Sequence, residues 1–242
     1  MKYINDFDKG FLDNKKILVT GSTSGIGKEL ALGLSSYGAN VILHGKNEDS
    51  LDKIYDEIIQ KFNTNPIIVK CDLNDLDESK AQEFANAIQG SYERLDGIVN
   101  NAAIIGKMST LADYDLSTWQ KVININVTSS YVLTKYLVPL MEGSKNPRII
   151  FTSSGVAEKG RAYWGAYAVS KAAVKSLAEI LQEELEPISQ IRIFNFDPGK
   201  TKTAMRAFAY PAENPNDLKD ASSLLPYYLW MLSEQSHETN ER

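Results

Sequence analysis

The chain holds a single cysteine, Cys71, and two histidines, His44 and His237, in 242 residues. One cysteine excludes an internal disulfide and fits a reducing compartment. Two histidines give no basis for a His-based triad or a multi-histidine metal site, and no metal is expected. No apolar run approaches a membrane span, and the opening MKYINDFDKG has no signal-like apolar region, so a cytoplasmic protein with no membrane partner is expected. Lysine and arginine number 26 against 31 acidic residues and are scattered, which argues against a nucleic-acid surface. Linkers, repeats and low-complexity tracts are absent. What remains is 43% hydrophobic and 24% charged, ordinary for a globular chain and enough for one domain over residues 1–242.

The most informative stretch is Ile17 to Leu34, ILVTGSTSGIGKELALGL. Ile17, Leu18 and Val19 read as a strand covered on both faces. Ile26, Leu30 and Leu34 recur at helical spacing and mark a buried stripe. Between them stand Gly21, Gly25 and Gly27. A strand that enters a helix through glycines points free N–H groups and the positive dipole end into the turn, which is a phosphate site. A nucleoside-triphosphate P-loop fails, because Ser22 stands in place of its first glycine and Glu29 in place of its hydroxyl residue. The G-x-G-x-x-G fingerprint also fails, since the spacing is G-x-x-x-G-x-G.

The rest of the chain alternates. Strands are predicted at 41–43, 66–70, 95–100, 148–151 and 191–196. Helices are predicted at 47–62, 78–88, 117–141, 166–185 and 221–233. The helix from Ser117 is given a capping box by Ser117-Thr118-Trp119-Gln120. Residues 1–14 read as a loose lead-in. Such alternation implies an α/β fold, a Rossmann-like doubly wound parallel sheet with helices on both faces. Ligands then sit beyond the carboxyl ends of the strands.

Those strand ends carry the candidate residues. After the second strand comes His44-Gly45-Lys46-Asn47, with no acid before Glu48. An acid there would bind the ribose hydroxyls of NAD. Lys46, with a hydroxyl from Ser22, can instead meet a 2′-phosphate, so NADP(H) is favoured over NAD(H). Asp72-Leu73, Asn101-Ala102-Ala103, Ser154 and Pro198-Gly199 follow later strands. Tyr167 lies thirteen residues past Ser154, and Lys171 four further, on the same helix face. With 12 tyrosines and about one residue in twelve a lysine, roughly one Tyr-x-x-x-Lys arises by chance. A second one, Tyr131 and Lys135, has no serine-bearing strand end upstream and is read as structural.

Taken together, the glycine turn, Asn-Asn-Ala, Asn126, Ser154, Tyr167, Lys171 and Pro198-Gly199 with Thr203 resemble the short-chain dehydrogenase/reductase family in order and spacing, from residue 17 to about 203. GRAYWGAYAVSK and PGKTKTAMRAFAYP resemble its YciK-type branch. The resemblance implies strand order 3-2-1-4-5-6 and hydride transfer between NADP(H) and a small-molecule carbonyl or alcohol. It implies a catalytic set in which Tyr167 is the acid or base and Lys171 lowers its pKa and binds ribose. Ser154 would hold the substrate oxygen, and Asn126 a relay water. It implies a cofactor site from Gly21, Ser22, Thr23, Ser24, Gly25, Ile26 and Gly27, with Asp72 and Leu73 at the adenine. Asn101, Ala102 and Ala103 would approach the cofactor, and Pro198, Gly199, Thr201 and Thr203 would stand at the nicotinamide end. Ala103 replaces the family's usual glycine. Asp197 and Phe194 also depart from common residues. With no apolar run after Leu232, a seventh strand is not expected, and a two-fold homodimer through the helices near Ser117 and Ala166 is favoured over a tetramer. The apolar Met205, Phe208 and Tyr210, with Tyr163 and Trp164, suggest an apolar substrate. A non-catalytic nucleotide-binding sensor or scaffold on the same fold is the alternative, although such proteins lose Tyr, Lys or Ser, and this chain keeps all three.

Overall fold

A computed structural model of the chain describes residues 7–237. Six strands form one parallel sheet: β1 (Lys16–Val19), β2 (Asn40–Gly45), β3 (Ile67–Lys70), β4 (Gly97–Asn100), β5 (Arg148–Thr152) and β6 (Arg192–Phe196). Their order is β3-β2-β1-β4-β5-β6, as expected, with Leu18 opposite both Ile42 and Ile98. The helices are α1 (Gly25–Ser35), α2 (Glu48–Lys61), α3 (Glu78–Ser91), α4 (Leu116–Ile123), α5 (Ser129–Leu137), α6 (Gly165–Leu185), α7 (Ala204–Ala209) and α8 (Leu225–Leu232).

The period of two along each strand divides the core. Leu18, Ile42, Ile98, Ile149 and Phe151 face the layer of α3, α5 and α6. Ile17, Val19, Val41, Leu43, Val99 and Ile150 face α1, α2 and α8. Both faces are covered, and the strands read as unbroken apolar runs for that reason.

Three expectations change. The helix at residue 116 is capped by Asp115, not Ser117: the Asp115 carboxylate accepts from the Thr118 amide at 2.9 Å and the Ser117 hydroxyl at 3.0 Å. The Thr118 hydroxyl, followed by the Thr118 amide and the Ser117 hydroxyl, holds its carboxyl down to about 2, and the anion suits the positive helix end. The long helix predicted to 141 is broken by a π turn at Asn124–Thr128 and ends in a 3₁₀ turn at Val138–Met141. Of the lead-in, residues 1–6 lie outside the described residues, but Phe7, Phe11 and Leu12 pack against the core. Leu12 is buried and its amide donates to the Tyr37 carbonyl at 2.9 Å.

At the other end, α8 and the 3₁₀ turn Glu234–His237 lie against the start of β5. The Arg148 side chain is fully buried there. It donates to the carbonyls of Ser233 (3.2 Å) and Pro147 (3.0 Å) and to Ser236 Oγ (3.3 Å). Burial, with Arg192 nearby, pushes its pKa down to about 10. This guanidinium ties the segment after α8 to the sheet. Residues 238–242 lie outside the described residues.

Candidate active site

A cleft of about 360 Å³ runs along the carboxyl ends of the strands, from Lys46 and Asp72 past the glycine turn to Tyr167 and Lys171. Its centre is built by backbone. Gly21 (φ +67°) and Gly25 (φ +52°) adopt the left-handed region that favours glycine. Thr20 clamps the turn to the end of β4, its Oγ1 accepting from the amides of Asn101 (2.9 Å) and Ala102 (3.0 Å). The first turn of α1 has no side-chain cap and no acid, whereas α2, α3, α4 and α7 are each capped by a side chain. Uncapped amides at the mouth of a glycine cradle are donors for an anion. These residues therefore fit the phosphates of a dinucleotide.

One end of the cleft carries an ammonium with no carboxylate paired to it among the described residues. Lys46 is exposed, lines the cleft and makes no ion pair among the described residues. The nearest acid in sequence, Glu48, is already paired with Lys70 at 2.7 Å. Thr23 stands beside Gly45, where an added Cβ would lie 2.8 Å from its Cγ2. Asp72 lines the same end and caps a 3₁₀ turn by accepting from the Asn74 amide at 3.0 Å. Leu73 is buried beside it.

The other end gathers Ser154, Tyr167 and Lys171. Tyr167 is 7% exposed, and Ser154 acts on its phenol as a hydrogen-bond partner. Burial dominates and pushes that phenol up to about 12. Lys171 is 4% exposed. Its Nζ donates to the Thr152 carbonyl at 2.7 Å and lies 5.8 Å from the centre of the Tyr167 ring. Burial pushes its pKa down to about 8, with Asp197 acting against that shift. The expected lowering of Tyr167 by Lys171 does not appear in this geometry: desolvation raises the phenol, and the opposing pull comes from Ser154.

Several predicted site residues serve the frame instead. Ser22 is buried, and its hydroxyl donates to the His44 carbonyl (3.2 Å) and accepts from the His44 amide (3.0 Å), so it cannot meet a 2′-phosphate. Gly27 does not line the cleft; a Cβ there would lie 2.1 Å from the Gly21 carbonyl oxygen. The Asn126 side chain sits in the π turn, bonded to both the amide and the carbonyl of Ile104 at 2.9 Å and to Ser170 Oγ at 2.9 Å. It is buried and holds the strand-end loop rather than facing the cleft. Asn101 lines the cleft but spends its Nδ2 on the Thr20 carbonyl at 3.1 Å. Thr201 lines the cleft but is almost fully buried, and its hydroxyl donates to the Pro198 carbonyl at 3.2 Å. Thr203 lines the cleft too, while its hydroxyl caps α7 by accepting from the Arg206 amide at 3.1 Å. Ser24, Ile26, Ala102, Ala103, Pro198 and Gly199 line the cleft as expected. Lys135 is paired with Glu78 at 2.6 Å, in keeping with a structural Tyr131–Lys135 pair.

The apolar wall is narrower than expected. Trp164 and Met205 line the cleft, while Phe208 and Tyr163 are exposed. Ile104 and Ile105 complete the wall. Arg206 also lines it, held by a two-pronged pair with Glu213 at 2.6 Å and stacked on Tyr210. His44 and Asp197 are further lining residues without an assigned role. His44 is buried, its Nδ1 accepts from the Gly21 amide at 3.2 Å, and burial pushes its pKa down to about 4. Each stands at the carboxyl end of a strand, His44 next to last in β2 and Asp197 just past β6, which is the signal that could have marked them.

No helix among the described residues is long and apolar enough to cross a membrane. The short chain dehydrogenase family model matches residues 15–214. The oxidoreductase YciK of Escherichia coli (strain K12) is 38% identical over 93% of this chain and 88% of its own length. A short chain dehydrogenase of Shigella flexneri complexed with NADP superposes with a TM-score of 0.92 at 38% identity, over 95% of each chain. One of Escherichia coli CFT073 complexed with NADPH gives 0.93 at 37% identity, over 96% of each chain. With the parallel sheet, the glycine cradle and the Ser154–Tyr167–Lys171 group in place, the chain belongs to the short-chain dehydrogenase family of oxidoreductases.

Proposed function

We propose that this protein transfers a hydride between NADP(H) and a carbonyl or alcohol carbon. The observation that carries the reading is one cleft with a phosphate cradle and an unpaired Lys46 at one end and Ser154, Tyr167 and Lys171 at the other. Two similar structures hold NADP and NADPH, which supports the same cofactor here. Bound there, the nicotinamide gives or takes the hydride. The amides of α1 and the glycine turn would hold the pyrophosphate, and Lys46 the 2′-phosphate. Tyr167 gives its proton to the substrate oxygen in reduction and takes it back in oxidation. Ser154 donates to the same oxygen as negative charge develops. The Lys171 ammonium favours the phenolate as it forms. Asn126 acts through the loop at Ile104 and positions the site. Ile105, Trp164 and Met205 suit an apolar substrate.

The test is a fluorescence titration with NADPH and NADH. NADPH should bind at least about tenfold tighter, the size of one charge-assisted phosphate contact. Lys46→Ala should remove most of that difference. Equal or preferential binding of NADH by the wild type would overturn the phosphate role of Lys46.

We also propose a two-fold homodimer through α4, α5 and α6. Leu116, Tyr131, Val169 and Ile180 are exposed on these helices, an apolar face suited to a second copy. Light scattering should give twice the chain mass; a monomer or a tetramer would refute it.

A further inference from the structure

Asp197 lines the cleft and has no part in the hydride and proton transfers proposed above. It follows β6 and lines the catalytic end of the cleft with Ser154, Tyr167 and Lys171. Its Oδ1 accepts from the Gly199 amide at 2.8 Å, which fixes the carboxylate. Its Oδ2 is turned toward Gly155, 3.4 Å from where a Cβ on that residue would lie, next to Ser154. It makes no ion pair among the described residues, and it is exposed to the cleft.

The charges around it are unbalanced without it. Lys171 is buried and its Nζ has a carbonyl rather than a carboxylate as partner. Arg206 is neutralised by Glu213. Among the described residues the one other acid lining the cleft is Asp72, just past the end of β3. Five strand spacings separate β3 from β6, about 24 Å, well beyond the roughly 8–10 Å reach of a screened charge. The catalytic end would carry a net positive charge if Asp197 were neutral.

An oxidised nicotinamide is a cation and a reduced one is neutral. We propose that the Asp197 carboxylate is the counter-charge of this end, balancing Lys171 across the cleft and favouring the oxidised over the reduced cofactor. Asp197 is thus a positioning residue that sets the redox preference of the site. The inference rests on the NADP(H) reading. In keeping with it, Asp197 opposes the burial-driven fall of the Lys171 pKa and adds to the rise at Tyr167.

The test compares NADP⁺ and NADPH affinities, by titration at fixed pH and salt, in the wild type, Asp197→Asn and Asp197→Glu. Asparagine keeps the acceptor for the Gly199 amide and removes only the charge. Its NADP⁺ affinity should fall at least about tenfold, as expected for one charge within about 12 Å in a medium of effective dielectric about 20. NADPH affinity should change less than about twofold by the same reasoning. Glutamate should restore the wild-type ratio. Should the asparagine variant fail to fold, Asp197→Ser supplies the neutral side chain. Equal changes for both cofactors, or none, would overturn the inference and leave the NADP(H) reading standing. Failure of the wild type to bind either nucleotide would overturn both.

Discussion

Tyr167→Phe is expected to lower turnover by about 10²–10⁴-fold, the usual worth of a positioned acid or base. NADPH affinity should stay within about twofold. The substitution removes one hydroxyl from a buried ring and leaves its packing against Trp164, 5.7 Å away between ring centres. The magnitude follows from what the hydroxyl does. Buried, with its pKa near 12, the phenol is fully protonated at neutral pH and ready to donate. Oxidation needs the phenolate, so its rate should climb as pH rises. Reduction should hold steady and then fall above pH 8, because the Lys171 pKa near 8 means the ammonium persists below that value and is lost above it. Initial rates in both directions across pH, on a carbonyl found by an NADPH-consumption screen, measure all of this. In Tyr167→Phe both limbs should vanish with the activity. Wild-type turnover in the variant would remove Tyr167 from the chemistry.

The strands were readable because the sheet is covered on both faces. Ile17-Leu18-Val19 and Val41-Ile42-Leu43 carry no polar residue, and flanking glycines and asparagines bound them. The catalytic residues were readable because strand order places every carboxyl-end turn on one edge, so Ser154, Tyr167 and Lys171 had to meet if the fold was right. What sequence could not give is which way a side chain turns at that edge. Ser22 and Thr23 are adjacent hydroxyl residues in the same turn, but the first is taken by the His44 backbone and the second faces the cleft. The π turn around Asn126 is invisible for a related reason. One extra residue in a turn barely disturbs an apolar pattern, and the bonds that stabilise it come from Ile104, more than twenty positions away. Asp115 against Ser117 was a local competition between two cap residues two positions apart, settled by the hydroxyl of Ser117 joining the carboxylate cap. The balance of charge at Lys171 also escaped, since spacing gives proximity to Tyr167 and burial decides which form each group prefers.

Gly27→Ala should be among the most damaging single-methyl changes in the chain, and Gly90→Ala should be its opposite. Both glycines lie in helices, where alanine is intrinsically favoured by up to about 1 kcal/mol, and propensity alone ranks them together. Their surroundings do not. At Gly27 an added Cβ falls 2.1 Å from the Gly21 carbonyl oxygen and 2.7 Å from Asn101 Nδ2. The first is backbone, and the second is held by its bond to the Thr20 carbonyl, so neither can yield without moving the turn. Overpacking of this kind costs about 1–3 kcal/mol or more. It also pushes α1 off the cradle whose amides face the phosphates, so NADPH affinity should fall by at least about tenfold. At Gly90 nothing lies within 4 Å of the added methyl, and the helical gain remains. Urea unfolding should move the midpoint down for Gly27→Ala and slightly up for Gly90→Ala, with NADPH binding unchanged in the latter. An unshifted midpoint and intact NADPH binding in Gly27→Ala would mean that the contact between the first turn of α1 and the Gly21 carbonyl is not what sets the cofactor cradle.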